Sequence, residues 1–200
     1  MSINTVLLSY HGLYSEGHNL SILTNRLEFD LETKGYKVAV AQTDYPMLGA
    51  ISGIKPWNRK VVPLLMLESL AKYRYKYPGA RIWVLCHSNG TLGISNALVE
   101  YFKHYGKGRY DPIRIDKLIL FGSVVKRNFD WGVYGRIKVL NFVGSKDRVS
   151  SLARLWWAGS SGKSGFKIDT PNLTQYYTDW KHSDFVLPEN YEYIRERIIG

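Results

Sequence analysis

One serine, one aspartate and one histidine of this 200-residue sequence stand where three side chains could pass a proton along a row. Ser88 lies in Cys86-His87-Ser88-Asn89-Gly90, between the apolar run 81–86 and a segment of helical periodicity that begins at once. A sharp strand-to-helix turn of this kind lifts a serine oxygen above the edge of a sheet, and it needs small residues two before and two after the serine. Gly90 meets the second need, and Cys86, though not the usual glycine, is small enough for the first. The start of the following helix places partial positive charge beside an oxygen that would become an alkoxide. The competing reading is a serine that merely caps a helix.

A hydroxyl becomes a nucleophile only with a base beside it, and histidine is the side chain suited to that task near neutral pH. The chain has five histidines. His87 precedes the serine on a strand, so alternation is expected to turn it away from the site. His11 belongs to the turn after the first apolar run, His18 to a polar stretch, and His104 to the end of a helix, where a cation suits the dipole. His182 lies on a loop after the last predicted strand, where an isolated histidine would by default be an ordinary surface residue. Asp147 lies in the turn Val143-Gly-Ser-Lys-Asp-Arg-Val149 after another predicted strand. A carboxylate there can fix an imidazole's tautomer, or it can cap the segment that starts near Val149. Asp130 is the competing acid; Asp179 and Asp184 are too near His182 in sequence to face it.

The elements that must position these groups alternate. Strands are expected over 4–10, 36–41, 81–86, 117–121, 137–143 and 174–178, and helices over 18–34, 61–77, 89–105 and 189–199. Gly35 and the pair Pro78-Gly79 stop two of the helices, and residues 43–60 are irregular. Strands alternating with helices imply a mostly parallel sheet with right-handed crossovers. The expectation is one three-layer α/β/α domain over residues 1–200, with the candidate groups outside the carboxyl ends of the strands.

The sequence resembles α/β-hydrolase fold proteins of the esterase, lipase and thioesterase type. His11-Gly12, Cys86-His87-Ser88-Asn89-Gly90, Gly144-Ser145-Lys146-Asp147 and His182-Ser183-Asp184-Phe185 carry the resemblance, in that family's order of nucleophile, acid and histidine. It implies a Ser88–His182–Asp147 triad and hydrolysis of an acyl bond through an acyl-enzyme. It also implies an oxyanion hole from the amides of Leu13 and Asn89, and a site bordered by His11, Gly12 and Tyr14. Larger members insert a helical cap where this chain has only residues 122–136, so a site with little or no cap is expected. Trp156, with its neighbour Trp157, and the loop 43–60 are candidate pocket walls. The expected partner is a small or lipid-like ester.

Composition narrows the alternatives. Apolar residues make up 45% and charged residues 22%, as in ordinary globular chains. One cysteine allows no internal disulfide. No signal sequence or transmembrane segment is legible, so a cytoplasmic protein is expected. Lys and Arg number 27 against 17 acidic residues, a net charge of +10. That field suits an anionic substrate, but it is dispersed and has no nucleic-acid-binding motif, so no nucleic acid is expected. The stretch Gly159-Ser-Ser-Gly-Lys-Ser164 lacks the first glycine and the preceding strand of a phosphate-binding loop, and reads as a flexible linker. No metal-ligand spacing and no dinucleotide fingerprint occurs, so neither metal nor cofactor is expected. The alternatives kept are a catalytically silent ligand-binding member of the fold and a basic nucleic-acid-binding protein.

Overall fold

A computed structural model of the chain describes residues 2–11, 18–42, 58–105, 113–153 and 158–200. Gly12, Leu13, Tyr14, Trp156, Trp157 and most of the 43–60 loop lie outside the described residues.

All six expected strands form, each within two residues of its expected ends. They are β1 (Thr5–Tyr10), β2 (Val38–Gln42), β3 (Arg81–His87), β4 (Lys117–Phe121), β5 (Lys138–Gly144) and β6 (Leu173–Thr178). They make one sheet in the order β2-β1-β3-β4-β5-β6, and every pair is parallel. β1 is buried at every position, and β3 at all but its first, because helices cover both faces of the sheet.

Side-chain alternation sorts the core into two layers. Val6, Leu8 and Tyr10 of β1 and Ile82, Val84 and Cys86 of β3 face α2 (Asn58–Lys76) and α3 (Asn89–Tyr105), meeting Met66, Leu70, Ile94 and Leu98. Leu7, Trp83 and Leu85 point the opposite way, onto Leu20, Leu23, Leu27 and Leu31 of α1 (His18–Thr33) and Ile194 and Ile198 of α6 (Tyr191–Ile199). The apolar stripe of α1 thus buries as its spacing predicts. Gly35, at φ +85°, turns the chain out of α1 while the Tyr36 amide donates to the Leu31 carbonyl at 3.0 Å.

After β1 the chain crosses to β2 on one side, and β3 then returns to the other side of β1. The carboxyl ends of β1 and β3 are therefore neighbours at the point where strand order reverses, which is where open parallel sheets hold ligands. His11 follows one end and Ser88 the other.

Two expectations need correction. Residues 58–60 belong to α2 rather than to an irregular loop. Gly159–Ser164 is no flexible linker. Residues 161–164 form a one-turn helix, α5, after the short α4 (Arg148–Ala153). The amides of Gly159 and Gly162 donate to Val124 and Ser123 carbonyls at 2.7 and 2.6 Å. A Cβ on Gly162 would stand 2.3 Å from the Ser123 nitrogen, so only glycine permits this approach. Residues 122–137 add no cap: Val125, Phe129, Trp131 and Tyr134 pack into the core beside α3.

Candidate active site

β3 runs into α3 with no intervening loop, and the turn between them strains one residue. Ser88 has φ +55°, the left-handed region, and it is the one non-glycine there among the described residues. Such a conformation costs roughly 1–3 kcal/mol and persists only when its surroundings hold it. Here the Ser88 amide donates to the Phe121 carbonyl at 3.0 Å. The Ser88 carbonyl accepts from the Thr91 amide at 3.0 Å and from the Thr91 hydroxyl at 2.6 Å. Thr91 Oγ1 in turn accepts from the Val124 amide at 3.1 Å. Gly90 is fixed by sterics, since a Cβ would lie 2.4 Å from the Tyr10 carbonyl oxygen. Cys86 is fully buried, and burial pushes its thiol well above the usual range, so it is no rival nucleophile.

Asp147 follows β5 and is fully buried. Its two oxygens make both a cap contact and a histidine contact. Oδ1 accepts from the Ser150 amide at 2.8 Å, capping α4, while Oδ2 accepts from the Ser150 hydroxyl at 2.6 Å and from His182 Nδ1 at 2.9 Å. Burial pushes this carboxyl up, but the His182 and Ser150 donors outweigh it and hold the group below its ordinary value. An ionised Asp147 requires the proton of a neutral His182 to sit on Nδ1. Nε2 is then the free base. That nitrogen is buried and has no hydrogen-bond partner among the described residues.

The His182 ring is seated from two sides. Gly122, at φ +51°, leaves room for it: a Cβ there would stand 2.8 Å from both Cε1 and Nδ1. His87 lies beneath, its ring centroid 4.9 Å from that of His182, and its Nε2–H donates to the His182 carbonyl at 3.0 Å. The expectation that His87 turns away from the site is corrected. Alternation does turn it away from Cys86, but the face it enters is the one covered by the His182 loop. Burial and the neighbouring His182 push the His87 imidazole down to about 4, so it is a neutral donor at neutral pH.

Asp147 and His182 are thus brought together, at the carboxyl edge of the sheet where the Ser88 elbow stands, though no hydrogen bond joins Ser88 to His182. Asn89 opens α3, so its amide has no acceptor within the helix. His11 is half-buried at the end of β1, with its carbonyl oxygen 3.0 Å from where a Gly90 Cβ would be. The rival acids are elsewhere. Asp130 caps a 3-10 turn by accepting from the Gly132 amide at 2.8 Å, Asp179 pairs with Lys146, and Asp184 accepts from the Lys181 amide. His104 faces Glu100 on α3. Leu13, Gly12, Tyr14 and Trp156 are outside the described residues. His87, Ser150, Gly122 and Thr91 were not anticipated. Ser150 could have been read as the third residue after an N-cap aspartate; the others depend on which chain ends meet.

No protein-family model and no curated protein matches the sequence. Solved structures do match. An uncharacterized protein from Bacillus cereus ATCC 10987 superposes with TM-score 0.64 at 12% identity, over 98% of this chain and 59% of that one. This chain therefore spans less than two thirds of that relative. A cold-adapted esterase from an Arctic intertidal metagenomic library gives 0.56 at 15% identity, over 99% of this chain and 83% of the esterase. The chain has the α/β-hydrolase fold. The RedJ thioesterase of the prodiginine pathway in Streptomyces coelicolor shares that fold, with TM-score 0.53 at 11% identity over 96% and 84% of the two chains. Within an α/β-hydrolase fold, a strained serine after β3, an acid after β5 and a histidine after β6 occupy the strand ends where ligands bind.

Proposed function

We propose that this chain is a serine hydrolase that cleaves carboxylic esters or thioesters, with Ser88 as nucleophile, His182 as base and Asp147 as the orienting acid. The supporting observation is the buried Nε2 of His182, unpartnered among the described residues, whose Nδ1 is held by a buried carboxylate at 2.9 Å. An orphaned buried acceptor costs free energy, which is tolerable where a hydroxyl proton is to be received. Hydrogen bonds between a nucleophile and its base are commonly long in free enzymes and tighten in the reacting complex, so the unmade Ser88–His182 bond is compatible with these roles.

The mechanism has two steps. Nε2 takes the Ser88 proton as Oγ bonds to the acyl carbon, and the carbonyl electrons move onto oxygen. The Asn89 amide, with that of Leu13, donates to this oxyanion. The oxyanion collapses, the bond to the leaving oxygen or sulfur breaks, and His182 returns its proton to that atom. Water then attacks the acyl-serine with His182 as base, releasing the acid and restoring Ser88. Asp147 remains ionised throughout and stabilises the imidazolium.

A fluorophosphonate probe tests the assignment. Wild type should be labelled at Ser88 and should hydrolyse p-nitrophenyl butyrate. Ser88→Ala should lose the label and at least about 10³ in kcat. A folded wild type that neither labels nor turns over ester would instead be a catalytically silent, ligand-binding chain of this fold.

A further inference from the structure

The field of a chain with net charge +10 is not evenly spent around this site. Beside His182 opens a groove of about 810 Å³, the size of a small-molecule site. Among the described residues nine line it, and four of these are cationic, Lys146, Arg148, Lys163 and Lys181, against one carboxylate, Asp184. Over the whole sequence Lys and Arg number only 27 in 200. The four come from three separate places: Lys146 and Arg148 flank Asp147, Lys163 lies in α5, and Lys181 precedes the candidate base. Their convergence is a product of the fold rather than of a basic run.

Their pairing is just as uneven. Lys146 is bound to Asp179 at 2.6 Å. Arg148, Lys163 and Lys181 have no acidic partner among the described residues, and the Asp184 carboxylate accepts from the Lys181 backbone amide at 2.9 Å. Three cations without an acidic partner among the described residues therefore face a groove whose wall includes His182. Like charges held together repel one another, and an anion of charge two placed among them removes that repulsion. The tight packing of α5 against Ser123 and Val124 fixes where Lys163 stands.

We infer that the groove is an anion subsite, and that the ester or thioester cleaved beside it carries a phosphate or carboxylate group. This rests on the proposed hydrolase reading for the identity of the ligand, but not for the anion binding itself. Phosphate is the better fit: its oxygens can accept from an arginine fork and two ammonium groups together.

The experiment has a catalytic arm and a binding arm. In the first, KM is measured for butyryl-pantetheine and butyryl-4′-phosphopantetheine, which differ by one phosphate. A second pair is p-nitrophenyl butyrate and mono-p-nitrophenyl succinate, which moves the anion to the acyl side. One anionic member should have a KM lower by about tenfold or more, and that ratio should shrink with added salt. In Arg148→Gln/Lys163→Gln/Lys181→Gln it should fall toward one, while in Lys103→Gln, on α3, it should persist. In the second arm, calorimetry should find one pyrophosphate bound per Ser88→Ala chain, and none after the triple substitution is added. Ester turnover without discrimination in either pair, together with no pyrophosphate binding, overturns the inference and leaves the hydrolase reading standing. Pyrophosphate binding by a chain that cleaves no ester sinks the hydrolase reading and keeps the subsite. Tight binding to vesicles of anionic lipid with no preference among the soluble pairs also overturns it, in favour of a membrane surface.

Discussion

Asp147 divides its oxygens between two tasks, and substitution can separate them. Asp147→Asn keeps the shape but removes the charge that fixes His182 and would stabilise its protonated form. Loss of that orienting charge typically lowers kcat by about 10⁴, while the cap on α4 is kept, because an asparagine oxygen also accepts from the Ser150 amide. Turnover should therefore collapse in a protein that still unfolds cooperatively in urea. Asp130→Asn supplies the contrast. Among the described residues its carboxylate accepts from the Gly132 amide, a cap that an asparagine oxygen also makes, so stability should change by less than about 0.5 kcal/mol with kcat unchanged. If Asp130→Asn abolishes ester turnover and Asp147→Asn does not, the proposed acid is misassigned. At this scale the sequence could point to Ser88, Asp147 and His182 as candidates, because strand ends and turn residues are local signals. It did not yield His87. Whether that ring meets the site depends on the loop 182–186 covering the α1 face, a matter of tertiary packing that β3 alone does not encode.

The elements place these groups by where strands stop, and glycines set how closely they can do so. Gly122 ends β4, and its missing Cβ is the space that the His182 ring needs. Gly122→Ala both strains a φ of +51° and drives a methyl to 2.8 Å from the ring. Gly35→Ala meets a similar backbone penalty at φ +85° with no atom within 4 Å. Each should lose about 1–2 kcal/mol of stability in urea unfolding. Only Gly122→Ala should also lose kcat, by at least about tenfold, since a 1 Å displacement of a catalytic group can cost about 10². Equal kcat in the two variants would mean that the ring adjusts and that Gly122 has no positioning role. The alternation of strands and helices was legible because burial on both faces makes parallel strands continuously apolar. The one-turn α5 was not, since Gly159 and Gly162 look like linker residues until Ser123 and Val124 are brought against them. Asn89 could be proposed only through its backbone amide, and no side-chain pattern records where an amide points.

Across the whole molecule, the buried imidazole of His87 ties the stability of the sheet to pH. Its pKa in the folded chain is about 4, against about 6.5 for an exposed histidine, because burial and His182 disfavour the charged form. The unfolded chain therefore binds a proton that the folded chain refuses. Stability from this source is fully present above pH 6.5, falls as pH drops through that value, and is lost by about pH 4. A shift of this size corresponds to about 3 kcal/mol. Self-repulsion in a chain of net charge +10 also grows in acid, so the wild-type curve alone does not isolate the histidine. His87→Gln does, since its amide can still donate toward the His182 carbonyl but does not titrate. Urea unfolding of both proteins at pH 7, 5.5 and 4 should show their free energies diverging in acid, with wild type losing about 3 kcal/mol more. Parallel curves would mean that His87 is protonated in the folded chain. Protonation would place a cation beneath the His182 loop and raise the cost of forming an imidazolium there, so the neutral state of His87 is as much a condition of the proposed chemistry as of the fold.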